Sequence, residues 1–459
     1  MTTVPFRSKR SALGVLQRLT GANGDAPLSA MIEVADRCNE VCVHCYQIQG
    51  QKGELDTDDW RAILDELAEM GVLFLTISGG EATLRHDFLE LVEHARSLKF
   101  AVKLFTNGLT MDEAMADALA RLAVQEVQIS LYSPRAEVHD WVTKVPGSFD
   151  KVVRAVELLV ERGVAVVVKS VLTSFNFDDR EAYRELATRL GADYMLDPSL
   201  DPRENGDRGP QAFDVSSEQW LDIHSDPTLF PRREELIGRP LDSSVCGACS
   251  GSIHIEANGE VHPCTQLEVS VGSAVTQGVR AAWGEGDDAQ AIRSLTWRAI
   301  HGCRDCDLRS HCSHCFANAL KEGGDALGPY ESMCRVAKLH YESRHGVRPV
   351  VVPTAGSEGR LGPYRLLPGH RLELKEDRRS PGDVDLAERL GWTRGDASQA
   401  PDRSGPGDLV QIRRPGAKVA RPEAVPGGGG STRSTEVGER GVDPRASAGH
   451  THTGLDFGT

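Results

Sequence analysis

Six times between Ala30 and Asp197 a short apolar run of strand character is followed by an amphipathic run of helical character. The strand candidates are Ala30–Ala35, Val72–Ser78, Ala101–Thr106, Glu126–Leu131, Val164–Thr173 and Asp193–Asp197. Between them lie stretches such as "TDDWRAILDELAEMG" and "FDKVVRAVELLVERG". Such alternation is satisfied by parallel strands with helices crossing back over them, so an α/β fold with a parallel sheet is predicted. Thr57 or Asp58 is placed to cap the first helix, and Gly71, Gly163 and Gly191 each follow a helix where a left-handed residue ends it. Periodicity leaves an open sheet and a barrel equally allowed.

A chain of 459 residues with 40% hydrophobic content can fill two or three domains. Its 67 acidic and 52 basic residues give a net charge of −15, which disfavours a nucleic-acid backbone as partner. No apolar run reaches the roughly 20 residues of a membrane span, and the N-terminus lacks the apolar core of a signal peptide. A cytoplasmic protein with no membrane partner is expected.

Eleven cysteines are unevenly placed: three within "CNEVCVHC" at residues 38–45, then none until the eight between Cys246 and Cys334. In a reducing compartment, clustered CxxC pairs suit metal ligation better than disulfides. Tetrahedral zinc requires four ligands, whereas a [4Fe–4S] cube held by three thiolates keeps one iron open. Cys38, Cys42 and Cys45 have no obvious fourth partner nearby. The later eight, in "CGACSGSIHIEANGEVHPC", "CRDCDLRSHCSHC" and Cys334, could equally supply two zinc sites.

"CNEVCVHCY" resembles the CxxxCxxC loop of the radical S-adenosylmethionine enzymes, which follows the first strand and carries an aromatic residue, here His44, before its last cysteine. The resemblance implies a partial (β/α)6 TIM-like barrel. It also implies a [4Fe–4S] cluster on Cys38, Cys42 and Cys45, with S-adenosylmethionine chelating the open iron and cleaved reductively to a 5′-deoxyadenosyl radical. "SGGEAT" at Ser78–Thr83 is similar to the family's GGE motif, placing Gly79, Gly80 and Glu81 at the cofactor's amino group; Ala82 stands where Pro is usual. Ser130, in "QISLYS", would also contact the cofactor. Relatives often carry an arginine after a His-Asp pair to hold the cofactor's carboxylate. Here His139 and Asp140 precede "WVTK", and the pair is read as a structural helix-start or loop element. No catalytic acid or base is identified.

The later block resembles the SPASM extension of these enzymes, with two residues rather than the usual three between Cys312 and Cys315. The resemblance implies two auxiliary [4Fe–4S] clusters, one on Cys246, Cys249, Cys264 and Cys315 and one on Cys303, Cys306, Cys312 and Cys334. Three, four and four ligands use every cysteine. "IHIEANGEVHPC" suits a β-hairpin turned at Asn258-Gly259.

The chain therefore divides into an N-terminal arm (1–29), a barrel core (30–200), a bridge with a short helix near "SSEQWLDIH" (201–245), a SPASM domain (246–345) and a low-complexity, disordered tail (346–459). "DVDLAERLGW" at Asp383–Trp392 could form a short helix in that tail, and His450 and His452 are read as solvated. The resemblance implies a radical enzyme that acts on a peptide or protein side chain, as in ribosomal peptide maturation. Alternatives are small-molecule cofactor biosynthesis of the haem or quinone type, or a non-catalytic iron–sulfur or zinc module. A reductase or a flavodoxin or ferredoxin would donate electrons. The 29 residues before Ala30 are too few for a leader-binding domain, so leader recognition is expected from a separate leader-peptide-binding protein or from the tail.

Overall fold

The structure, a computed structural model, describes residues 27–226, 229, 240–284, 287–352 and 360–375. Six parallel strands, β1 (Ser29–Glu33), β2 (Phe74–Ser78), β3 (Ala101–Thr106), β4 (Glu126–Ser130), β5 (Val166–Val171) and β6 (Asp193–Asp197), stand side by side in chain order. Helices α1 (Thr57–Glu69), α2 (Phe88–Ser97), α3 (Glu113–Arg121), α4 (Ala136–Thr143), α5 (Ser148–Glu161) and α6 (Arg180–Arg189) make the crossovers. Crossovers that all step the same way with the usual right hand leave the helices on one face, and the sheet curls away from them. β1 and β6 do not pair, so the curl is a partial barrel.

Local chemistry sets the element ends. Gly71, Gly163 and Gly191 have φ of +87°, +73° and +73°, the left-handed stops expected of them. The cap of α1 is Asp56, whose side chain accepts from Asp59 N at 2.9 Å, rather than Thr57 or Asp58. Thr57 Oγ1 instead donates to Asp87 Oδ2 at 2.6 Å. Asp87 in turn holds the buried Arg85, which donates to Val34 O at 2.9 Å and Leu55 O at 3.0 Å. This clamp ties the end of β1 and the entry to α1 to the β2–α2 loop.

The cysteine-rich extension continues the barrel's own sheet. β7 (Ser252–Ile255) runs parallel to β1 in the register Ile32↔Ile255, and β8 (Glu260–His262) returns antiparallel through Gly259 at φ +86°. β9 (Gly272–Ser273) completes nine strands. One apolar core therefore runs from Trp60, Leu75 and Ile32 through Ile253 to Trp283 and Trp297. The bridge contains α7 (Ser217–Ser225), opened by a Ser216–Gln219 capping box and packed on α8 (Glu331–His345).

Ordered structure continues past residue 345, where the sequence reading begins a disordered tail. β10 (Val350–Val351) pairs parallel with β12 (Arg371–Leu374), which pairs antiparallel with β11 (Tyr364–Leu367). Strands this short in a polar, Gly- and Pro-rich stretch carry almost no periodic signal. They are held because Tyr364 and Leu372 are buried with Leu308, Ala337 and Tyr341. Asp383–Trp392, His450 and His452 lie outside the described residues. Among the described residues no helix is long and apolar enough to cross a membrane.

Candidate active site

The three-cysteine loop leaves β1 at the carboxyl ends of the strands. Val41 N donates to Thr143 O at 3.1 Å and Val43 N to Val142 O at 3.0 Å, fastening the loop to α4. On its other side Gly80 N donates to Ala35 O at 2.7 Å and Glu81 N to Arg37 O at 2.9 Å. A Cβ at Gly79 or Gly80 would lie 2.5 Å from Ala35 O or Arg37 O. The two glycines are thus required by close approach to the cysteine loop itself.

Cys38, Cys42 and Cys45 line a cavity of about 450 Å³ together with Gly79, Gly80, Thr106 and Asn107 from strand ends, and Ser130 from β4. Thr265 and Gln266, directly after Cys264 in the extension, also line it. Lys169 on β5 is the one cationic side chain among the described lining residues, its ammonium 4.1 Å from the Phe105 ring centre. Sequence reasoning missed it because a lysine in an apolar strand has no distinguishing pattern. Glu81 does not line the cavity. Its Oε1 accepts from Thr83 N, Thr83 Oγ1 and Thr106 Oγ1 at 3.1, 2.5 and 2.7 Å, and its Oε2 accepts from Asn107 N at 2.7 Å. Oε2 keeps capacity for one more donor. Asp140 accepts from Gly147 N at 2.6 Å, Ser148 Oγ at 2.9 Å and Phe149 N at 2.9 Å, so it stabilises the start of α5, and the His-Asp pair is structural.

The donor set fits an iron–sulfur cube. Burial pushes the Cys38 thiol up to about 12 and raises Cys42 and Cys45 as well, so ligation must draw on the charge of the iron. Polar groups stand at the sulfurs: Asn107 Nδ2 donates to Cys38 Sγ at 3.8 Å, and the Cys42 thiol donates to Tyr132 OH at 3.8 Å. Glu40 Oε2 is 3.3 Å from Cys42 Sγ. Among the described residues no three cysteine sulfurs lie within 4.8 Å of one another, wider than the roughly 3.8 Å separation in a tetrahedral zinc thiolate.

The eight later cysteines fall into two groups. Cys303, Cys306, Cys312 and Cys334 surround one small apolar cavity with Trp297, Leu308 and Tyr364. Cys246, Cys249 and Cys315 have thiols raised by burial first and also by the neighbouring Cys264 sulfur.

A partly buried ionic network, not foreseen from sequence, joins the barrel to the extension. Lys52 Nζ contacts Glu204 at 2.8 Å and Glu256 at 2.7 Å, and His262 Nε2 lies 3.6 Å from Glu256. Beside it Glu33 accepts from Gln47 Nε2 at 2.8 Å, and burial pushes its carboxyl up to about 8. A carboxyl raised this way holds its proton in the folded protein while the unfolded chain releases it above the ordinary value of 4.5. Stability therefore falls as pH rises toward 8, by at most ~1.4 kcal/mol per pH unit for this group. Glu33→Gln should flatten the loss of melting temperature between pH 6.5 and 8, read by thermal shift; an unchanged slope would mean that Glu33 is ionised in the folded state.

A parallel sheet with three cysteines lining one cavity at its strand ends, and eight more in the extension that continues it, offers the thiolates of an iron–sulfur protein. Residues 32–190 match the Radical SAM superfamily, and residues 246–307 match SPASM, an iron-sulfur cluster-binding domain. Mycofactocin maturase MftC of Mycobacterium ulcerans is 40% identical over 356 residues, covering 72% of this chain and 95% of that protein. The PqqA peptide cyclase of Ruegeria pomeroyi is 26% identical over 379 residues, covering 75% and 96%. The chain spans about half the length, 49%, of the Mycobacterium tuberculosis MftC it matches. Among solved structures, Streptococcus suis SuiB bound to precursor peptide SuiA superposes with a TM-score of 0.52 at 16% identity, covering 73% of this chain and 82% of that one, which shows the fold. The chain belongs to the radical SAM superfamily, with a SPASM extension. The family's cofactors are S-adenosylmethionine on a [4Fe–4S] cluster and, in the SPASM domain, auxiliary iron–sulfur clusters.

Proposed function

We propose that the protein is a radical enzyme that acts on a peptide or protein side chain. Cys38, Cys42 and Cys45 hold the cofactor-binding cluster; Cys246, Cys249, Cys264 and Cys315 hold one auxiliary cluster, and Cys303, Cys306, Cys312 and Cys334 the other. Bound S-adenosylmethionine, once reduced, supplies the 5′-deoxyadenosyl radical that abstracts hydrogen. The chain's own residues bind, orient and exclude water. Gly79 and Gly80 bring the β2 loop against the cluster loop, Ser130 faces the cofactor, and Lys169 offers a cation for its carboxylate; Glu81, buried outside the cavity lining, acts by holding Thr83, Thr106 and Asn107 in place. The observation that carries this reading is the single cavity bounded by both the three-cysteine loop and Thr265–Gln266 beside Cys264, which puts a substrate within reach of the first and one auxiliary site. The names of the PqqA peptide cyclase and of the SuiB complex with its precursor peptide favour a peptide substrate. Electrons come from a reductase or a flavodoxin- or ferredoxin-type carrier, and a separate protein presents the peptide's leader.

The test is anaerobic reconstitution followed by reduction with S-adenosylmethionine and a short peptide encoded beside this gene. About twelve irons per chain, 5′-deoxyadenosine, and a cofactor-dependent mass loss in the peptide are expected. Deoxyadenosine without any change in the peptide would reject the substrate class, and zinc in place of iron would reject the reaction.

A further inference from the structure

We propose that the Tyr132 hydroxyl is a hydrogen-bond donor to the Cys42 thiolate and thereby raises the reduction potential of the cofactor-binding cluster, an assignment that rests on the ligand reading above. Tyr132 follows Ser130 by two residues at the end of β4, so its side chain returns to the face that lines the cavity. Its hydroxyl lies 3.8 Å from Cys42 Sγ and has Ser130 as a further hydrogen-bonding neighbour. A free thiol can donate to a phenol oxygen; a cluster-bound thiolate has no proton, so there the phenol must donate.

Tyr132 is held on every side. Its backbone N donates to His139 Nδ1 at 3.1 Å, and its carbonyl accepts from Asn176 Nδ2 at 2.7 Å and Ser170 Oγ at 3.3 Å. Its ring stacks on His139 at 5.6 Å and meets His44 edge-on at 4.6 Å. Because His139 Nδ1 accepts, that ring is neutral with its proton on Nε2, and it is fully buried. His139 is thus a positioning residue for Tyr132. Glu40 Oε2 lies 3.3 Å from the same sulfur, but a carboxyl is a donor only while protonated, whereas the phenol is a neutral donor throughout.

One more electron on the cluster raises the negative charge on the thiolate sulfurs, and a donor aimed at one of them stabilises the reduced state. Removing it should make the cluster harder to reduce. The experiment is an EPR-monitored redox titration of the reconstituted holoenzyme, following only the signal whose shape changes when S-adenosylmethionine is added. Tyr132→Phe keeps the ring and its packing. It should retain the iron content, move this midpoint to more negative potential, and lower the ratio of reduced to oxidised cluster at a fixed potential by about threefold or more. 3-Fluorotyrosine at the same position, a stronger donor, should move the midpoint the other way, and it decides the question should Tyr132→Phe lose iron. An unchanged or more positive midpoint in Tyr132→Phe, or no response to fluorination, would overturn the assignment. If the unaltered protein shows no cluster signal that responds to S-adenosylmethionine, the ligand reading fails instead.

Discussion

Replacing Cys42 with alanine is expected to reduce 5′-deoxyadenosine formation to background, whereas Cys334→Ala should leave it measurable and stop only the peptide product. Cys42 lines the cavity at the strand ends, and two remaining thiols cannot hold a cube there, so about four of about twelve irons should be lost. Cys334 sits on α8 and lines a different cavity with Cys303, Cys306 and Cys312. Among the described lining residues none is shared by the two cavities, so losing the second should not disturb cofactor binding at the first. Iron content, deoxyadenosine by liquid chromatography and peptide mass, taken on the same samples, separate the two outcomes. Equal loss of deoxyadenosine in both variants would mean that the cysteine-rich block mainly supports the fold through the continuous sheet.

A chain ended after Val352 is expected to bind all three clusters under anaerobic conditions but to lose about four irons on brief air exposure. The β11–β12 hairpin is strapped across Cys306. Tyr364 N donates to Cys306 Sγ at 3.4 Å, Asp307 N donates to Tyr364 O at 2.8 Å, and Lys375 Nζ contacts Asp307 Oδ1 at 2.9 Å. The Tyr364 ring, 3% exposed, forms one wall of the cavity of the second cysteine group. Without it that wall opens to solvent and oxygen. A chain ended after Lys375 keeps the hairpin and should behave like the full protein, which separates the hairpin's contribution from that of the following residues. Iron measured after timed exposure gives the result; identical loss in the two truncated chains would assign the hairpin no protective role.

The six barrel strands were legible to within two residues at each end, because alternation of strand and helix is a local property. The cap of α1 was not, since Thr57 is drawn away by Asp87, 30 positions distant. Lys52 and its partners Glu204 and Glu256 carry no joint signal either, being 152 and 204 positions apart. The hairpin after residue 360 was hidden for a related reason: its strands are stable only against Leu308, Ala337 and Tyr341.

The three-cysteine spacing, the GGE-like turn and the hairpin at Asn258-Gly259 are encoded within a few residues, so they could be read directly from the chain. Folding decided that Gly79 and Gly80 press on the cysteine loop, that Glu81 spends most of its hydrogen-bonding capacity on Thr83, Thr106 and Asn107, and that Tyr132 reaches Cys42. Each is a contact between segments brought together by the parallel sheet, and the energy of such contacts depends on distances that no local pattern of residues records.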